Sequence, residues 1–235
     1  MFSRLLTSAL FAGALGGLIA ALLQLYFVQP VLLHAELYES GELVHFGAGA
    51  AGPVSAHPDL GGIDPVRDGL SVIFTMLIYT GYALMLLAAM ALAESRGATI
   101  DARTGMVWGL AGFVAFHLAP GFSLAPEVPG VAAADVYVRQ VWWFATVATA
   151  AVGLWLIAFG RSWLAWGAAA ILLLAPHVIG APEPDVFTGP VPTEIGALFA
   201  ARAFGIGLAA WVTVGMLAGY FWHKEAASMA GAKAA

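Results

Sequence analysis

Two histidines stand beside two copies of one short pattern. Leu118-Ala119-Pro120 is followed after four residues by Ala125-Pro126-Glu127, and Leu174-Ala175-Pro176 after four by Ala181-Pro182-Glu183. The pattern LAPxxxxAPE therefore recurs at an offset of 56 residues, with His117 just before the first LAP and His177 just after the second. Imidazole nitrogen and carboxylate oxygen together suit divalent transition metals: cobalt, nickel, zinc, iron or copper, with affinity order alone favouring copper over cobalt. Proline has no N–H and clashes with the carbonyl four residues back. The pattern thus predicts a freed carbonyl at Phe116 and another at Leu172, costly at membrane depth unless water, a cavity or an ion meets it. His117 and His177 are the expected metal ligands, with Glu127 and Glu183 at the mouth of the site. The plainer alternative is a neutral histidine bonded to a neighbouring helix, with AlaProGlu as a helix stop.

A second place for cation chemistry is His34-Ala35-Glu36-Leu37-Tyr38-Glu39. His34 and Tyr38 share a helical face at i,i+4 spacing, and His34 with Glu36 would capture a cation, although a solvated face explains either residue alone. His45 and His57 flank Gly47–Pro58, a Gly-, Ala- and Pro-rich stretch read as irregular loop, and carry no assigned role. Arg139 and Arg202 are each expected to balance an outer carboxylate such as Asp135 or Glu194.

The elements that must position these groups are membrane helices. Of 235 residues, 61% are hydrophobic and 10% charged, and the mean hydropathy is +0.89. Soluble domains carry roughly 25% charged residues, so the polar shell that water requires is missing. Six apolar runs are long enough to span: Leu5–Val28, Leu70–Ala93, Gly105–Leu124, Val141–Phe159, Trp163–Ile179 and Ile195–Trp222. The third and fifth are the weakest, interrupted by Pro120 and Pro176. The first is too long for a signal peptide and lacks a clear cleavage site. The expected fold is an all-α integral membrane protein of six transmembrane helices, five being the alternative count. It forms a single polytopic domain with a long outer loop over 29–69 and a short cytoplasmic tail over 223–235. The offset of 56 superimposes helices two and three on four and five, as a parallel repeat of hairpins.

With the N-terminus inside, Arg4, Arg96, Arg103, Arg161, Lys224 and Lys233 face the cytoplasm, against Arg67, Arg139 and Arg202 outside, which places both termini in the cytoplasm. Eleven of fourteen acids and five of six histidines then lie outside or near the outer boundary, a surface that attracts cations. Trp142 and Trp143 are expected in the outer aromatic belt, and Trp163 and Trp222 in the inner one. Gly13/Gly17, Gly105/Gly109 and Gly215/Gly219 have the spacing of close helix crossings.

Several classes drop out. There is no cysteine, hence no disulfide, thiolate zinc site or iron–sulfur cluster. The net charge of −5 and the lack of a basic cluster argue against nucleic acid. No GxxxxGK[ST], GxSxG or HExxH pattern supports an enzyme, and no catalytic residue or tightly bound cofactor is expected. Paired histidines on neighbouring helices leave a membrane haem or redox subunit as the alternative function.

Along nearly its whole length the chain resembles the CbtA-type probable cobalt transporter subunits. The resemblance rests on Gln24 to Pro30, Ala35-Glu36-Leu37-Tyr38-Glu39, Asp68-Gly69, Trp108-Gly109-Leu110-Ala111-Gly112-Phe113, Leu118-Ala119-Pro120 and Pro126-Glu127-Val128-Pro129-Gly130. Its most distinctive parts are Arg139-Gln140-Val141-Trp142-Trp143 and the run from Pro176 to Pro184. It implies a multi-pass bacterial inner-membrane permease subunit importing a divalent cation, Co2+, for cobalamin biosynthesis. It also implies a small single-span partner with a histidine-rich tail, in keeping with the absence of a histidine cluster after His223. The family is usually described with five spans, where the residues here read as six.

Overall fold

Every apolar run folds as helix. The computed structural model describes residues 2–45 and 54–234, with side chains as far as Ser228, so part of the Gly47–Pro58 stretch and the Lys233 side chain lie outside the described residues. The elements are α1 (Phe2–Leu23), a π-helix (Gln24–Val28), α2 (Gln29–Glu39), α3 (Pro65–Glu94), α4 (Ala102–Phe113), a second π-helix (Val114–Leu118), α5 (Ala119–Ser123), α6 (Val136–Phe159), α7 (Trp163–Ile179) and α8 (Thr193–Ala234). No strand occurs among the described residues.

Among the described residues, five helical runs are long and apolar enough to cross a membrane: Phe2–Glu39, Pro65–Glu94, Ala102–Ser123, Val136–Phe159 and Thr193–Ser228. The sixth expected span is α7, an apolar helix of 17 residues, about 26 Å long at 1.5 Å per residue and just short of a typical bilayer core. The protein is an all-α membrane protein. The segment expected as loop over 29–69 is helical at both ends, since α2 continues the first span to Glu39 and α3 begins at Pro65. The segment after Trp222 continues α8 to Ala234.

The helix starts follow from short polar side chains. The Asp64 carboxylate accepts the N–H of Val66 at 2.9 Å and of Arg67 at 3.1 Å, with Pro65 opening α3. Asp135 caps α6 through Tyr137 and Val138, and Ser162 caps α7 through Ala165. Each meets an N–H that the first turn cannot satisfy. Asp101 and Thr104 cap reciprocally: the Thr104 N–H donates to Asp101 Oδ1 at 2.8 Å, and the Asp101 N–H to Thr104 Oγ1 at 2.9 Å. That Thr104 N–H is the main reason the Asp101 carboxyl sits below its ordinary range. A depressed carboxyl stabilises the fold above its unfolded pKa, and the contribution disappears as pH falls through the folded value. Asp101→Asn, which keeps the acceptor, is expected to melt below wild type at neutral pH. The gap should close below about pH 4 in melting curves of detergent-solubilised protein.

The chain divides into two compact units. The first comprises Met1–Leu25, Ile63–Phe113 and Gly205–Ala235. Its helices meet at glycines. A Cβ at Gly13 would strike the Thr80 backbone and one at Gly17 would lie 2.7 Å from Met76 Cα, so α1 packs backbone-close on α3. Gly105 and Gly109 meet the carbonyls of Gly215 and Trp211, and Gly219 meets that of Asp101, so α4 crosses α8 in the same way. All three expected glycine pairs thus serve close crossings. Thr75 Oγ1 and Gln24 Oε1 lie 3.4 Å apart, and Tyr82 packs on the buried Trp211. Arg4 fastens the end of α1: its Nε donates to the Trp222 carbonyl at 3.0 Å, its guanidinium lies 3.7 Å from the Trp222 ring centre, and it pairs with Glu94 at 3.4 Å. Trp222 is therefore packed inside the protein rather than displayed in a belt.

The second unit comprises Tyr26–Gly62 and Val114–Phe204. Val31, Ala35 and Tyr38 of α2 form a core with Val128, Val191 and Ile195. α6 lies along α7 and also touches the π-helix Val114–Leu118 and α5. Here α6 runs along α7, while in the first unit α3 packs chiefly on α1 and touches α4 more lightly.

Candidate metal site

All six expected ligands fall within the second unit. The two motif copies come together there. Ser123, at the end of α5 in the first copy, has its Oγ 2.8 Å from Nδ1 of His177 in the second. The Phe122 ring meets the His177 ring edge-on at 5.3 Å, and the Trp142 ring does so at 6.1 Å. Farther along, the Ala132 N–H donates to the Thr188 carbonyl at 2.8 Å, and those positions differ by the repeat offset itself.

The prolines act in two ways. Pro120 sits two residues after the π-helix Val114–Leu118, which contains His117. One extra residue in the turn accommodates the ring of a proline that cannot donate, so the first motif contains a widened turn and not a plain α-helical break. Pro30 stands in the same relation to the π-helix Gln24–Val28. Around Pro176 no π-turn forms; its carbonyl accepts the Trp142 indole N–H at 3.3 Å and the Gly180 N–H at 3.1 Å. Trp142 is accordingly buried against α7 rather than lying in an outer belt.

The remaining expected residues are spread apart. Glu127 pairs with Arg139 at 2.6 Å. Arg139 therefore balances a carboxylate as expected, but that carboxylate is Glu127, itself an expected ligand, while Asp135 caps α6. Glu183 and Glu36 are exposed, and His34 is partly buried. The His34 ring stacks on Tyr38 at 5.5 Å, and its Nε2 is buried with no hydrogen-bond partner. His117 is partly buried. Among the described residues, no three His, Asp or Glu side chains are grouped to hold a metal ion.

Arg202 corrects another expectation. Its guanidinium donates to the Phe27 carbonyl, inside the first π-helix, at 2.8 Å, and not to Asp135 or Glu194. A charged hydrogen bond of this kind is worth about 1.5–3 kcal/mol. Arg202→Ala is expected to cost about that much in chemical unfolding and Arg202→Lys clearly less; equal losses would show that this bond is not what the residue supplies. Sequence reasoning missed Arg202's carbonyl partner, Ser123 and the role of Trp142. Only Pro30, following Gln24–Val28, offered a signal for the first π-turn.

Neither a search of curated proteins nor one of solved structures finds a match. The family described as "Probable cobalt transporter subunit (CbtA)" matches residues 2–223, nearly the whole described chain, and it gives no support to the haem alternative. The chain belongs to the CbtA family of probable cobalt transporter subunits.

Proposed function

We propose that this transporter subunit imports Co2+ across a bacterial inner membrane for cobalamin biosynthesis, with His177 as the principal ligand. The observation that carries the reading, within a cobalt transporter family, is the contact that joins the two motif copies at His177. An imidazole ring oriented by three neighbours, in a chain poor in charge, is suited to replacing part of the water shell of a cation. His117 contributes from its π-turn, where widened helical geometry frequently accompanies function. Glu183 stands at the entrance, and Glu127 joins by exchanging Arg139 for the cation. His34 and Glu36 act earlier, as capture ligands, and the unpartnered Nε2 of His34 favours that role. Both termini are cytoplasmic in this reading, which the bias of lysine and arginine supports. A small single-span partner with a histidine-rich tail completes the transporter, and the chain itself performs no catalysis.

The test is uptake of radiolabelled cobalt by metal-starved bacteria expressing the chain with its partner, with nickel, zinc and iron as competitors. Uptake well above empty-vector cells, displaced least by the competitors, supports cobalt as cargo. Preferential displacement by another metal would reassign the cargo, and uptake equal to empty-vector cells would refute import.

A further inference from the structure

We infer that Ser123 is the positioning residue that determines which nitrogen of His177 meets the cation, and that a hydroxyl stands there because the ion must be released. The inference rests on the proposed role of His177 as ligand. With Nδ1 engaged at 2.8 Å by Ser123 Oγ, Nε2 is the nitrogen left to bind metal. Phe122 and Trp142, both edge-on to the ring, hold its plane, so the direction of the Nε2 lone pair is fixed as well.

The choice of partner has chemical consequences. A hydroxyl both donates and accepts. It can donate to Nδ1 when the proton is on Nε2, and it can accept from Nδ1–H when Nε2 carries the lone pair for metal. Ser123 therefore accommodates His177 before, during and after binding. A carboxylate in its place would favour only the Nδ1–H form, raise the basicity of Nε2 and tighten the metal bond, as at permanently occupied sites. That would be a disadvantage where cargo has to leave.

The two motif copies divide the work for a steric reason. Subtracting the offset of 56 from His177 gives Gly121, whose added Cβ would collide with the Phe204 ring. A side chain at that position would require the Phe204 ring to move, and the first copy instead supplies Ser123 two residues later. The sequence repeat thus yields one ligand and one orienting group from matching segments.

The test uses the full chain in lipid nanodiscs with Co2+ itself as the probe. Nitrogen chemical shifts of 15N-histidine-labelled protein report the tautomer, and equilibrium dialysis reports affinity. Loss of an orienting partner usually costs 10–100-fold in metal affinity, so Ser123→Ala is expected to weaken Co2+ binding by about tenfold or more and to shift the ratio of His177 tautomers away from that of the wild type. Ser123→Thr should restore both readings. Ser123→Asp should bind about tenfold more tightly and, in cells, lower the maximal uptake rate while lowering the half-saturating concentration. If Ser123→Ala leaves tautomer and affinity unchanged while His177→Ala abolishes binding, the positioning role is refuted and the ligand role stands. If His177→Ala binds Co2+ like wild type, the ligand role fails and this inference fails with it.

Discussion

Cells expressing the His117→Ala/His177→Ala double variant, at matched protein in the membrane, are expected to take up cobalt at under about one hundredth of the wild-type rate. The hundredfold loss is a lower limit. Losing a group that merely orients a ligand costs 10–100-fold in affinity, so losing the ligands themselves costs at least the upper figure. His177→Ala alone should account for most of the loss, because His177 is the imidazole held by Ser123, Phe122 and Trp142. His117→Ala should have a smaller effect, and its π-turn is expected to persist because Pro120 remains. Initial rates over a range of cobalt concentrations separate the two residues: a ligand met on entry raises the half-saturating concentration, whereas one used in passage lowers the maximal rate. Melting temperature controls for folding and should move little, since both histidines are only partly buried. A double variant with wild-type uptake would remove both residues from the pathway.

Gly109→Val is expected to abolish accumulation of folded protein. At Gly109 a Cβ would run into the Trp211 carbonyl and lie 2.9 Å from Val212 Cα. These are backbone atoms of α8 and cannot swing aside as a side chain could. Overpacking in a well-packed core costs typically 1–3 kcal/mol even when side chains can shift, and here an entire helix would have to back away from its neighbour. Gly215 and Gly219 approach α4 and the Asp101 carbonyl from the facing side and should be equally intolerant. Gly81 supplies the contrast: it lies within α3 with nothing within 4 Å of an added Cβ. Gly81→Ala should therefore be neutral or stabilise by about 0.5–1 kcal/mol, through the lower entropy of the unfolded chain. Size-exclusion profiles and melting curves in detergent distinguish the two outcomes; a monodisperse Gly109→Val protein with wild-type stability would contradict the tight crossing.

These expectations draw unequally on sequence and structure. The helices were legible because a bilayer demands long apolar runs, and short polar residues mark their ends. Trp163–Ile179 was predicted with the bounds it has, set by the Ser162 cap and by Gly180, which takes a φ of +95° that other residues rarely adopt. The glycine pairs were legible because close helix approach needs small residues at fixed spacing. The π-turns were not, since the same apolar letters fit a ladder of i+4 or i+5 bonds, and Pro30 marks a break without saying that the turn before it widens. Partners across loops were ambiguous: Arg139 had several acids within reach, and only the folded backbone selects Glu127. Ser123 carries no signal of its own, being one of the four unspecified positions inside the first motif copy. The repeat led to the expectation of a shared site; what the fold shows is that the two copies touch, Ser123 of one against His177 of the other. It also superimposed helices two and three on four and five; the packing of α3 on α1 through Gly13 and Gly17 lies outside the repeat and needed the glycine spacing instead.

The most direct test of transport uses proteoliposomes that contain the purified chain, with and without its partner, and an internal cobalt-sensitive dye. An inside-negative potential of 100 mV favours entry of a divalent ion by about 4.6 kcal/mol, enough to drive accumulation if a pathway exists. Dye quenching is expected to depend on the protein, to grow with the potential and to be lost in the His117→Ala/His177→Ala variant. Quenching no faster than in protein-free liposomes, with the partner present and the potential imposed, would contradict cobalt import by this chain.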